Sequence, residues 1–153
     1  MSLQDRLDTL KADFEAGRFP LKPSAQDLET MRRATAELIA SGQAQRALQT
    51  GDRAPEFTLN GPDGKPVSSR ELLNSGPLVA SFYRGVWCPY CNMELQALAA
   101  VLPEIAARGA SLVAISPQTA ANSRKSQRQS GLGFPILGDH HHRGFLKRRI
   151  HEI

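Results

Sequence analysis

The chain has 153 residues, 41% of them hydrophobic and 22% charged, which suits a globular domain with a real core and excludes wholesale disorder. Its formal charge is +4, with an isoelectric point near 9.4. No stretch approaches the roughly eighteen apolar residues of a membrane span, and the first residues lack the apolar centre of a secretory leader, so a cytoplasmic protein with no membrane partner is expected.

In "MSLQDRLDTLKADFEAGRF", Leu3, Leu7, Leu10 and Phe14 recur every three or four positions, predicting a polar amphipathic helix over residues 3–18. Pro20 and Pro23 then interrupt it, because each disfavours helix in the residue before it. A second helix is expected to start at Ser24, with Ser24 and Asp27 forming a capping box. It should run to about Leu48, with Leu28, Met31, Leu38 and Thr35 facing inward and Gly42 weakening its last turns. Residues 1–49 thus read as an N-terminal helical extension or packing arm without a site of its own.

Beyond Gly51 the texture changes. "APEFTLNGPDGKPVSS" has two extended stretches around Gly61-Pro62-Asp63-Gly64 and predicts a β-hairpin. "SSRELL" suggests a single helical turn, and "PLVASFY" (77–83) a buried parallel strand. A helix over 89–107 should present Leu95, Leu98, Leu102 and Ile105 on one face, with a kink at Pro103. "ASLVAIS" (110–116) predicts a second buried strand, 119–130 a polar amphipathic helix and "FPIL" (134–137) a short third strand. Strand and helix alternate, so this part should be an α/β fold of parallel βαβ units with right-handed crossovers. The last residues are basic, with Arg143, Lys147, Arg148 and Arg149 following His140, His141 and His142. The tail matches no nucleic-acid-binding motif and reads as a solvated charged face, so no nucleic-acid partner is expected.

The two cysteines and the sole tryptophan all lie in "GVWCPYCN" (85–92). The predicted strand ends near Tyr83 and the helix begins near Pro89, which puts Cys88 at the helix N-terminus and Pro89 where its missing N–H costs nothing. Free amides and the helix dipole favour an anion there, and so a thiolate. Cys91 follows one turn later on the same face. An exposed thiolate backed by a second thiol is the arrangement for thiol–disulfide exchange, or for trapping a sulfenic acid. Two other readings stay open. A zinc site needs about four ligands, and only the distant His140 to His142 and His151 remain to supply them, so no metal is expected. Alternatively, both cysteines are inert core residues. Trp87 serves either packing or shielding of the thiolate.

"GDRAPEFTL" (51–59), "FYRGVWCPYCNMEL" (82–95), "AISPQ" (114–118) and "FPILGD" (134–139) resemble the alkyl hydroperoxide reductase C / thiol-specific antioxidant (AhpC/TSA) family, in its peroxiredoxin-like branch within the thioredoxin superfamily. The resemblance covers about residues 50–139, taken as the redoxin domain, and leaves 140–153 as an atypical basic tail. It implies a thioredoxin-like fold and a thiol peroxidase that needs no cofactor. Its substrate would be a hydroperoxide and its reductant thioredoxin, glutaredoxin or glutathione, and a homodimer is compatible with it. Cys88 matches the family's reactive cysteine, with Cys91 as resolving thiol and Trp87 and Pro89 in support.

Three features depart from the family. The position three before Cys88, a threonine or serine in typical peroxiredoxins, is Gly85, and neither Ser81 nor Arg84 is assigned its role. Cys91 is more like thioredoxin or glutaredoxin, which admits a protein disulfide oxidoreductase. After "FPILGD" the family continues with a helix and further strands, one carrying an arginine that helps hold thiolate and peroxide. "HHHRGFLKRRIHEI" does not resemble that continuation, and nothing in the spacing favours Arg143 or Arg149 as the substitute. The expected fold therefore lacks its C-terminal strands, by truncation or a shifted frame, and leaves an apolar sheet edge uncovered. An inactive redoxin domain acting as a binding module is the third reading.

Overall fold

A computed structural model describes residues 1–18, 20 and 22–139. The basic tail, its histidines and its arginines lie outside the described residues. The chain forms two compact units that divide between Arg53 and Ala54.

In the first unit, α1 spans Leu3–Glu15 and α2 spans Ala25–Ala40. Both begin in capping boxes. Ser24 Oγ accepts from the Asp27 amide at 3.1 Å while Asp27 Oδ2 accepts from the Ser24 amide at 2.8 Å, as the sequence predicts. Ser2 and Asp5 do the same for α1, a cap the sequence reading missed. Each box is worth about 1 kcal/mol because it satisfies amides that the first turn leaves unpaired. Leu3, Leu7, Leu10 and Phe14 are half-buried along one face of α1. Two expectations for the second helix fail. It ends at Ala40 instead of near Leu48, because Gly42 adopts a left-handed conformation (φ +69°) that stops it; a single turn, α3 (Gln43–Arg46), follows. Leu28 is half-buried, but Thr35 is exposed, and so are Met31 and Leu38 at 51% and 58%. Periodicity identifies residues that share a face; it does not guarantee a cover for that face.

The second unit is a five-stranded sheet with helices. Strand β1 (Thr58–Asn60) and β2 (Pro66–Ser68) form the predicted antiparallel hairpin, and α4 (Ser69–Ser75) is longer than the single turn expected. Next come β3 (Leu78–Phe82), α5 (Pro89–Ala107), β4 (Ser111–Ser116), α6 (Ala120–Ser130) and β5 (Ile136–Gly138). The order is β2-β1-β5-β4-β3, with β3, β4 and β5 parallel and β1 antiparallel to β5. The α/β reading of the sequence holds. Helix α5 has the expected limits and continues through Pro103.

Packing follows the two-residue period of β4, the strand at the centre of the core. Leu112 and Ala114 join Tyr83, Cys88, Cys91, Leu95, Phe134 and Ile136 on one side of the sheet, where Leu98, Leu102 and Ile105 of α5 also pack. Val113 and Ile115 join Leu59 and Leu137 on the other, beneath Phe57, Val67, Leu72 and Leu78. Burying each larger side chain contributes about 2 kcal/mol. The expectation that 77–83 is a buried strand needs correction. Strand β3 lies at the end of the strand order, and Val79 and Phe82 stay 38% and 44% exposed. An apolar run alone does not distinguish a central strand from an edge strand. Among the described residues no helix is long and apolar enough to cross a membrane.

Candidate active site

The Tyr83 amide donates to Ile115 O at 3.0 Å, extending the β3–β4 pairing by one residue before the chain turns through 84–87 into α5. Cys88 is the N-cap of that helix and Pro89 opens it, as expected. The Cys88 sulfur takes the role usually filled by a serine or aspartate oxygen, accepting from the Cys91 amide at 3.4 Å. The Cys91 thiol points at it, with 2.7 Å between the sulfurs, and both cysteines are free. A third donor comes from the loop: Arg84 Nη2 lies 3.2 Å from Cys88 Sγ.

These contacts separate the two thiols electrostatically. Burial pushes the Cys88 thiol up, but the Cys91 thiol and amide and the Arg84 guanidinium outweigh it, and its pKa falls below the ordinary thiol value. For Cys91, burial and the hydrogen bond to Cys88 both act upward, and its pKa is raised. Of the two, Cys88 is the thiol whose surroundings favour the thiolate. The contact with Cys88 also raises the pKa of Arg84.

The expected exposed thiolate is not observed: Cys88 has 0% and Cys91 9% of its surface open. The N-cap geometry turns Cys88 Sγ inward onto the first turn and into the core cluster. Trp87, by contrast, is 66% exposed, and its ring carries the Arg84 guanidinium 5.0 Å from its centre. At such an exposed position this cation–π contact is worth about 0.5–1 kcal/mol. Among the described residues no three His, Cys, Asp or Glu side chains converge on a metal-sized site.

The loop before Cys88 is gripped from two sides. Gln118 Oε1, just beyond β4, accepts from the Val86 amide at 2.8 Å, and Asn92 Nδ2 of α5 donates to Val86 O at 2.9 Å. Gln118 is itself buried; its Nε2 donates to the hydroxyls of Tyr83, Ser123 and Ser126. The face that α6 turns to the core is thus made of serine hydroxyls. Gly85 is required here by both conformation and space. Its φ is +148°, and an added Cβ would lie 2.9 Å from Trp87 Nε1 and 3.4 Å from Gln118 Oε1. A threonine here would have to displace that indole and hold a backbone conformation that side chains rarely adopt.

The sequence singles out Cys88, Cys91, Trp87 and Pro89, and the structure brings them together at the start of α5. The sequence leaves Arg84 without a role and does not single out Gln118, Asn92 or Tyr83. The spacing of Arg84 to Cys88 was visible, but only the turn at Gly85 folds the arginine back onto the sulfur. Gln118 ends the "AISPQ" stretch, and nothing local pairs it with a loop 32 residues away.

Residues 50–148 match the AhpC/TSA family. The chain belongs to the AhpC/TSA family. Its fold is the thioredoxin-like fold of that family's peroxiredoxins. The crystal structure of peroxidoxin BcpB from Mycobacterium tuberculosis superimposes with a TM-score of 0.60 at 29% identity, over 63% of each chain. The Helicobacter pylori protein named "Putative peroxiredoxin bcp" is 33% identical over 92 residues, which is 60% of this chain and 60% of that protein. The thiol-disulfide oxidoreductase ResA of Bacillus anthracis is 27% identical over 93 residues, 60% of this chain and 53% of ResA. The chain thus spans 60% of the length of the Helicobacter pylori peroxiredoxin relatives it matches.

Proposed function

We propose that this chain is a thiol peroxidase in which Cys88 attacks hydroperoxides and Cys91 resolves the product. The observation that carries the reading is the set of three donors on one buried sulfur: the Cys91 amide, the Cys91 thiol and Arg84 Nη2. A thiolate so held is a nucleophile, and the lowered Cys88 pKa increases its share at a given pH. It attacks the distal peroxide oxygen, the O–O bond breaks, and the leaving oxygen departs as an alkoxide or hydroxide that takes up a proton. Cys88 is then a sulfenic acid. The Arg84 guanidinium has further N–H groups beside the sulfur to stabilise charge on the leaving oxygen. Cys91 next displaces water from the sulfenic acid and a Cys88–Cys91 disulfide forms. Two electrons from a thioredoxin, glutaredoxin or glutathione-type thiol restore the dithiol.

The test is stopped-flow mixing of the reduced chain with hydrogen peroxide, followed by Trp87 fluorescence, thiol count and mass. Loss of both thiols and 2 Da (~2 from two hydrogens), far faster than for free cysteine, is expected. A rate no better than free cysteine overturns the reading.

The CxxC spacing supports a second reading, shared with the name of the ResA relative: a protein disulfide oxidoreductase using the same two sulfurs. Prompt reduction of insulin disulfides together with peroxide inertness would select it.

A further inference from the structure

Gln118 stands outside the cysteine motif and donates nothing to either sulfur, yet its carboxamide ties the 84–87 loop to the end of β4. Its two ends are used differently. The oxygen takes the N–H of half-buried Val86. The nitrogen is fixed by three hydroxyls: Tyr83 at the end of β3, and Ser123 and Ser126 on α6. Tyr83 OH also lies 3.4 Å from Ser126 Oγ, closing the network. Two elements, the end of β3 and α6, therefore anchor the carboxamide. An amide turned end for end would place its NH₂ against the Val86 N–H, so that donor decides which end faces the loop, and the hydroxyls hold the other end in place.

The consequence is carried along the loop. Val86 sits between Arg84 and Cys88, and its carbonyl is held by Asn92 from the opposite side. With both ends of the residue fixed, Gly85 keeps its φ of +148° and the arginine is folded back to within 3.2 Å of the sulfur.

We propose that Gln118 is a positioning residue of the site: anchored by the Tyr83, Ser123 and Ser126 hydroxyls, it holds the Val86 amide so that the Arg84 guanidinium meets Cys88 Sγ. This rests on Cys88 being the reacting thiol. Gln118 acts through the loop and touches neither sulfur nor substrate.

The test reads the pH profile of Cys88 alkylation by iodoacetamide in the Cys91→Ser background, so that one thiol reports. Gln118→Met keeps length and bulk but offers no acceptor. It should slow alkylation at neutral pH by about three- to tenfold and move the profile to higher pH, as expected from losing a single buried hydrogen bond in a network. Ser123→Ala with Ser126→Ala should move it the same way by less, and should add nothing in the Gln118→Met background, because the hydroxyls act through the carboxamide. Ser69→Ala removes another buried hydroxyl, which accepts the Phe57 amide on the far side of the sheet. It should cost stability and leave the profile alone. A folded Gln118→Met chain with an unshifted profile overturns the inference, as do serine effects that add in full. If Gln118→Met does not fold, the serine pair decides alone, and an unmoved profile then overturns it. Peroxide inertness with a Gln118-dependent profile would remove the peroxidase reading and leave this one standing; the opposite pattern does the reverse.

Discussion

Arg84 Nη2 reaches Cys88 Sγ at 3.2 Å from within the same short loop, four residues away, with its guanidinium laid over the exposed ring of Trp87. The cation at this site is thus local to the cysteine motif.

Replacing Arg84 should raise the pH at which Cys88 becomes reactive. The folded-state pKa of Cys88 is depressed, so its thiolate is present at pH values where an unfolded cysteine is still a thiol. In the Cys91→Ser background, alkylation rate against pH should reach its plateau earlier than in the urea-unfolded chain. Arg84→Met removes a charge-assisted donor and should shift the curve upward, with about a tenfold slower reaction at neutral pH. Coincident curves for Arg84→Met and its parent would count against the assignment.

Cys91→Ser keeps the backbone amide on Cys88 Sγ and removes only the resolving thiol. One equivalent of peroxide should then leave a Cys88 sulfenic acid, trapped by dimedone and seen as a mass gain, with turnover by thiol reductants reduced by about a hundredfold or more for want of the internal disulfide. Cys88→Ser should abolish peroxide consumption altogether.

Gly85→Thr, which supplies the residue type typical of peroxiredoxins at this position, should damage the site. The φ of +148° and the 2.9 Å approach to the Trp87 indole both oppose it. A loss of about 1–3 kcal/mol in urea unfolding is expected, together with slower Cys88 alkylation. Pairing it with Trp87→Ala should recover the steric part and leave the backbone strain, so recovery to wild-type stability would contradict the geometry.

Leu95 has no exposed surface and packs in the cluster that holds both cysteines. Leu95→Ala should cost about 2–5 kcal/mol, measured as a lower urea midpoint at unchanged slope. A change under 1 kcal/mol (~1, the usual surface effect) would mean that the cluster does not carry the stability of this unit.

The order of elements was legible because local signals agreed with one another. Pro89 after a cysteine marked the start of α5, and the Gly61 to Gly64 turn marked the hairpin. Strand "ASLVAIS" was apolar enough to be recognised as buried on both faces. What failed depended on neighbours that sequence does not name. Strand β3 is as apolar as a central strand but lies at the edge, and α2 carries an apolar stripe of which only Leu28 is half-buried. At the site, the cysteine pair was readable from spacing and the helix start. The burial of Cys88 was not, since an N-cap side chain turns inward only once the loop before it is shaped. That shape depends on Gly85 and on Gln118, which β4 delivers from 32 residues away.

The parallel arrangement of β3, β4 and β5 has a further consequence. Parallel strands all finish at one rim of their sheet, so the turns that follow them are neighbours whatever their separation in the chain. Tyr83 and the cysteine loop leave from the first strand and Gln118 from the second. Asp139 leaves from the third, where its amide donates to Ser116 O at 3.0 Å. Each crossover takes the chain back to the opposite rim and the next strand brings it here again, so the cysteine loop after β3 and Gln118 after β4 meet from separate departures, and the spacing between strands, about 4.8 Å, sets the distance between them.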